Sequence, residues 1–74
     1  MNESSQDPTT RWQLVTAQPG ECCRWRAHDG RWIAIELGKG VQLGRAIVRD
    51  STGREIEVDS YEGALALART WRFA

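Results

Sequence analysis

Glycine recurs every ten residues, at Gly20, Gly30 and Gly40, and stands again at Gly53. Each closes a short turn-forming cluster: Gln18-Pro19-Gly20, His28-Asp29-Gly30, Gly38-Lys39-Gly40 and Ser51-Thr52-Gly53. Between the clusters apolar and polar residues alternate, the period of strands with one buried face. Short alternating segments joined by glycine turns predict an antiparallel meander. The expected strands are 11–17, 21–27, 31–37, 41–50 and 54–58.

Turn length sets the register, and a slip of one residue moves every side chain to the other face. A three-residue loop at His28-Asp29-Gly30 puts Cys23, Trp25, Ile33, Ile35 and Leu37 on one face. Arg24, Arg26, Trp32, Ala34 and Glu36 then share the other. A two-residue loop would mix arginines with isoleucines, so three residues are expected, with Gly last in the left-handed conformation. The same loop at Ser51-Thr52-Gly53 pairs Val48 with Ile56 and Ala46 with Val58, inward. It sets Arg49 opposite Glu55 and Arg45 opposite Asp59, outward, and opposite charges favour that pairing. At Gly38-Lys39-Gly40 a third such loop pairs Leu37 with Val41 and Ile35 with Leu43, and needs a β-bulge at Gly44. Pro19-Gly20 suits a type II turn, which pairs Leu14 with Trp25 and Trp12 with Ala27.

After residue 58 the period changes. Asp59 with Glu62 three residues on resembles a capping box. Tyr61, Ala64, Leu65, Leu67, Ala68 and Trp71 fall within an arc of about 160° at helical spacing. An amphipathic helix from Ser60 to Arg72 is expected to cover the inward face of the sheet. The fold class is therefore α+β: a five-stranded antiparallel β-meander with one C-terminal helix on one face. Residues 1–9 are polar and patternless and read as a disordered tail; residues 10–74 form a single domain. The expected core is Leu14, Cys23, Trp25, Ile33, Ile35, Leu37, Leu43, Val48, Ile56, Val58, Leu65 and Ala68. A curled, barrel-like sheet that buries Trp32 is the alternative.

Ten basic residues balance ten acidic ones. That balance excludes the strongly basic footprint of a duplex-DNA binder. No apolar run is long enough for a membrane span, and no signal-peptide pattern opens the chain. Two adjacent cysteines make no disulfide framework, so a reducing, cytoplasmic setting is expected. Cys22, Cys23, His28 and Asp29 are metal-ligand types, but Cys22 and His28 lie at opposite ends of one strand, so no metal site is expected. His28 is the only histidine, and no nucleophile, base and orienter converge. Gly38-Lys39-Gly40 lacks the spacing of a phosphate loop. Neither an enzyme nor a cofactor is expected.

The outward sheet face is the remaining candidate. It carries Gln13, Val15, Arg24, Arg26, Trp32, Ala34, Glu36, Gln42, Arg45, Ile47, Arg49, Glu55 and Glu57. Trp and Arg are enriched at binding hot spots, which makes Arg24, Arg26, Trp32, Arg45, Ile47 and Arg49 the candidate partner-binding residues. A protein partner, or a second copy of the chain, is expected there. The order of elements is similar to small sheet-based nucleic-acid-binding folds of the transcriptional-coactivator and purine-rich-element types. The similarity is one of topology, and it implies single-stranded nucleic acid on the open sheet as the alternative occupant.

Overall fold

The computed structural model describes residues 11–38 and 44–73. Five strands follow in order: β1 (Trp12–Val15), β2 (Glu21–Ala27), β3 (Trp32–Leu37), β4 (Ala46–Asp50) and β5 (Glu55–Val58). A single helix, α1 (Tyr61–Arg72), closes the chain. Every neighbouring pair is antiparallel, and the sheet order is β1-β2-β3-β4-β5. β1 and β5 each have one neighbour only, so the sheet is open and no barrel forms.

The three-residue loops behave as the alternation requires. The Ala27 N–H donates to the Arg31 carbonyl at 2.7 Å, and Trp25 pairs with Ile33 and Cys23 with Ile35. Gly30 and Gly53 close their turns at φ +97° and +95°, where a Cβ would be strained. β4 and β5 pair Val48 with Ile56, Ala46 with Val58 and Arg49 with Glu55. The Pro19-Gly20 turn holds Trp12 opposite Ala27 and Leu14 opposite Trp25.

The connection between β3 and β4 differs from the expected tight turn. Ile35 faces Val48, not Leu43, and Leu37 faces Ala46. The Gly38 N–H donates to the Arg45 carbonyl at 2.8 Å, so the strands part only at those two residues. Gly44, at φ +92°, belongs to this longer connection and not to a bulge within a strand. The expected partners Val41 and Leu43 lie outside the described residues, as does Gln42. The observed register sets two large apolar residues, Ile35 and Val48, against each other. It also lets Arg49 reach Glu36 at 3.0 Å.

The core lies between α1 and strands β3 and β4. Ile33, Ile35, Ala46, Val48, Ala64 and Ala68 form it, with Trp12, Cys23, Trp25, Val58, Leu65, Leu67 and Trp71 packed around its rim. Alanines on both sides of the contact bring helix and sheet close. Three residues expected inside are exposed: Leu14 at 68%, Leu37 at 47% and Ile56 at 40%. The reason is coverage. Five strands span roughly 19 Å across, whereas one helix is about 10–12 Å wide. α1 packs on β3, β4 and β5, which leaves the β1 side and the strand tips uncovered.

The helix begins one residue later than the Asp59–Glu62 pattern suggests. Ser60 is the N-cap, and its Oγ accepts from the Gly63 N–H at 3.0 Å. Asp59 instead faces Arg45 at 3.4 Å. At the other end Arg69 and Arg72 lie in the last turn, where positive charge suits the helix dipole. No helix among the described residues is long and apolar enough to cross a membrane.

Candidate interaction surface

The face of the sheet away from α1 is built by alternation along all five strands. At its centre Trp32 pairs across β2/β3 with Arg26, while Arg24, on the diagonal, stacks its guanidinium 4.2 Å from the Trp32 ring centre. The stacking partner is thus Arg24, not the directly paired Arg26. Arg24 is also held by Glu21 at 2.6 Å, and both side chains are largely buried. That hydrogen bond and ion pair hold the Glu21 carboxyl below its ordinary pKa, against the opposing effect of burial. Ala34, flanked by Arg24 on β2 and Arg49 on β4, is fully buried on this face. Arginine stems cover such apolar area while keeping their heads hydrated.

The remaining charges are matched in pairs. Glu21 and Glu36 stand directly opposite each other across β2/β3. Arg24 neutralises the first, and Arg49 the second at 3.0 Å. Arg49 also holds Glu55 at 2.8 Å, and Arg45 holds Glu57 at 2.9 Å. Four carboxylates (Glu21, Glu36, Glu55 and Glu57) therefore meet three arginines (Arg24, Arg45 and Arg49), while Arg26 has no carboxylate partner among the described residues. The pairs of Arg45 and Arg49 are solvent-exposed and contribute little to stability. Their main effect is to leave the face polar but nearly neutral. Trp32, Ile47 and Val15 are half-buried between the charged groups.

The structure brings Arg24, Trp32 and Arg49 together around Ala34, with Ile47 one strand further, opposite Glu36 and Glu57. Arg45 lies just before β4 and Arg26 toward the β1 side. Beside Arg26 the face dips into an open concavity of about 360 Å³, walled by Arg11, Gln13, Arg26, Ala27, His28 and Gly30. The β1/β2 register could have shown this group in the sequence, because it puts 11, 13, 26 and 28 on one face.

Every tryptophan has an arginine partner. Besides Arg24 on Trp32, Arg31 lies over Trp12 at 5.5 Å, Arg72 over Trp25 at 4.2 Å and Arg54 over Trp71 at 3.8 Å. Three of these pairs lie on the helix side, so the abundance of Arg and Trp belongs first to the fold. Arg54 also links Trp71 to Asp50, a buried carboxylate in the β4/β5 turn at 3.0 Å.

The two cysteines are free thiols, Cys22 exposed and Cys23 half-buried. A bulge between Glu21 and Cys23 breaks the alternation and brings their sulfurs to 3.8 Å. Burial first, and then the neighbouring Cys22 thiol, push the Cys23 thiol up to about 11. A thiol held protonated is a poor nucleophile and a poor metal ligand. Iodoacetamide at neutral pH should therefore modify Cys22 well before Cys23. Mass mapping of a time course checks this, and equal rates would place Cys23 outside the packed layer.

Compared with known protein families, curated proteins and solved structures, the chain matches none.

Proposed function

We propose that the chain is a small, non-enzymatic protein-interaction module. It docks a protein partner, or a second copy of itself, through the helix-free sheet face. Trp32 is the anchor, bordered by Arg24, Arg49 and Ile47, with Arg45 and Arg26 at the rim. The observation that carries this reading is a sheet face, covered by no other element among the described residues, whose centre is a half-buried Trp32 and whose charges around it are already paired, Arg26 and Arg11 apart. A neutral mosaic around an aromatic anchor suits a protein surface. A cytoplasmic setting, where both thiols stay reduced, fits the same reading, and neither a cofactor nor a membrane is part of it.

Single-stranded nucleic acid is the second reading. It is favoured by Arg26, opposite Trp32, and by Arg11 further along the same face, neither of which has a carboxylate partner among the described residues. The two readings separate by salt. Each phosphate contact on a single strand contributes a slope of about −0.7 in log affinity against log salt. A protein partner held by Trp32 should show a shallow dependence and survive molar salt. Steep loss of binding with salt, together with binding to random oligonucleotides, would overturn the protein-docking reading.

A further inference from the structure

We propose that the concavity walled by Arg11, Gln13, Arg26 and His28 binds a phosphate monoester. The sheet builds it from two successive cross-strand pairs. Gln13 faces Arg26, and next to them the His28 N–H donates to the Arg11 carbonyl at 3.1 Å. All four side chains start from the same face, away from α1. Arg11 and Arg26 stand on the diagonal of this array, a spacing of about 7–8 Å between backbone positions. Two guanidinium forks at that separation reach one tetrahedral anion from both sides.

The other two groups add neutral donors. His28 Nδ1 accepts from the Arg11 N–H at 3.4 Å. In the neutral ring the proton then sits on Nε2, which is left as a donor. The Gln13 amide supplies two more N–H groups. No carboxylate among the described residues lines the concavity.

The distribution of arginines singles this place out. Arg24, Arg31, Arg45, Arg49 and Arg54 are in ion pairs within the domain. Arg72 lies against Trp25 and Phe73. Arg11, Arg26 and Arg69 have no such partner among the described residues; Arg69 stands alone in the last turn of α1, whereas Arg11 and Arg26 share one hollow. Its volume, about 360 Å³, falls in the range of small-ligand sites. A phosphate monoester offers three unesterified oxygens and close to two negative charges at neutral pH, which matches donors on three sides better than a carboxylate does. The site does not depend on Trp32 docking. Its ligand is either a free phosphate compound or a phosphorylated side chain of a peptide.

The test is titration of the ¹⁵N-labelled chain at constant ionic strength, in parallel, with inorganic phosphate, a phosphoserine peptide and its unphosphorylated form. Saturable shifts centred on Arg11, Gln13, Arg26 and His28 are expected with both phosphate-bearing probes and not with the unphosphorylated peptide. A phosphopeptide at least tenfold tighter than inorganic phosphate identifies a peptide source; equal affinities identify a free phosphate compound. Arg26→Gln, at an exposed position, should weaken binding at least tenfold with the fold retained in the spectrum. Arg69→Gln, on the helix, should leave it unchanged. Absence of saturable shifts with both probes, shifts centred elsewhere, or unaltered binding in Arg26→Gln would overturn the proposal. So would an oligonucleotide phosphodiester that binds as tightly as the monoester.

Discussion

Ile35→Ala should remove a large share of the domain's stability. Ile35 is fully buried, between Cys23 on β2 and Val48 on β4, and belongs to the cluster that meets Ala64 and Ala68 of the helix. Truncating such a side chain removes its transfer energy and leaves a cavity, at a cost of about 2–5 kcal/mol. A folded body of this size has a total stability of only about 3–10 kcal/mol. Leu37 is on the same strand and the same face but lies beyond the helix, so Leu37→Ala should cost less than about 1 kcal/mol. Urea unfolding followed by tryptophan fluorescence measures both. The reverse order would place the helix over the other end of β3.

Asp50→Ala should cost about 2–3 kcal/mol, through loss of hydrogen bonds to a charged group. Asp50 is buried at the end of β4, and its carboxylate organises the turn that follows. Oδ1 accepts from the Thr52 N–H at 3.0 Å, the Thr52 hydroxyl at 2.6 Å and the Arg54 N–H at 3.1 Å. Oδ2 takes the Arg54 Nε at 3.1 Å. Burial pushes this carboxyl up, but the hydrogen bonds from Thr52 and Arg54 outweigh it, and the pKa lies below the ordinary aspartate value. A depressed folded-state pKa contributes stability that is present above the unfolded value, about 3.9, and lost as pH falls through the folded one. The wild type should therefore lose stability on acidification below about pH 4. Asp50→Asn should be destabilised at neutral pH and lose less on acidification. Its amide keeps one acceptor for Thr52 but turns a donor toward Arg54. Thermal melts across pH 2–7, a range set by the aspartate pKa, test this; parallel curves for the two proteins would mean that Asp50 contributes no charge-dependent stability.

The legibility of this fold tracks how local each constraint is. The three-residue loops were readable because Gly30 and Gly53 supply the left-handed residue and only one register separates Arg24 and Arg26 from Ile33 and Ile35. The helix was readable from its period alone, with the cap misplaced by one residue because Ser60, not Asp59, reaches the Gly63 N–H. The β3/β4 pairing was not, since a longer connection leaves the register to cross-strand packing of Ile35 on Val48. Alternation also assigns a face without saying how far a helix covers it. That is why Leu14 and Ile56 are inward in register yet exposed.

The surface divides in the same way. Outward positions for Arg24, Trp32, Arg45, Ile47 and Arg49 follow from register. Which carboxylate each arginine engages follows from side-chain reach, and Asp50 was hidden because turn networks have no strand period. Register puts Arg11, Gln13, Arg26 and His28 on one face, but that they wall one hollow follows from side-chain shape, which alternation does not give.

The claim that the helix-free face is a docking surface is tested most directly by Trp32→Ala, with stability and affinity measured on the same purified variant. The wild-type domain is first used to recover its partner, or to measure self-association by sedimentation equilibrium. The account predicts a native fold with stability lowered by less than about 2 kcal/mol, since Trp32 is only half-buried. It also predicts binding weakened by about 2 kcal/mol or more, close to thirtyfold. Unchanged affinity in a folded Trp32→Ala variant would contradict it.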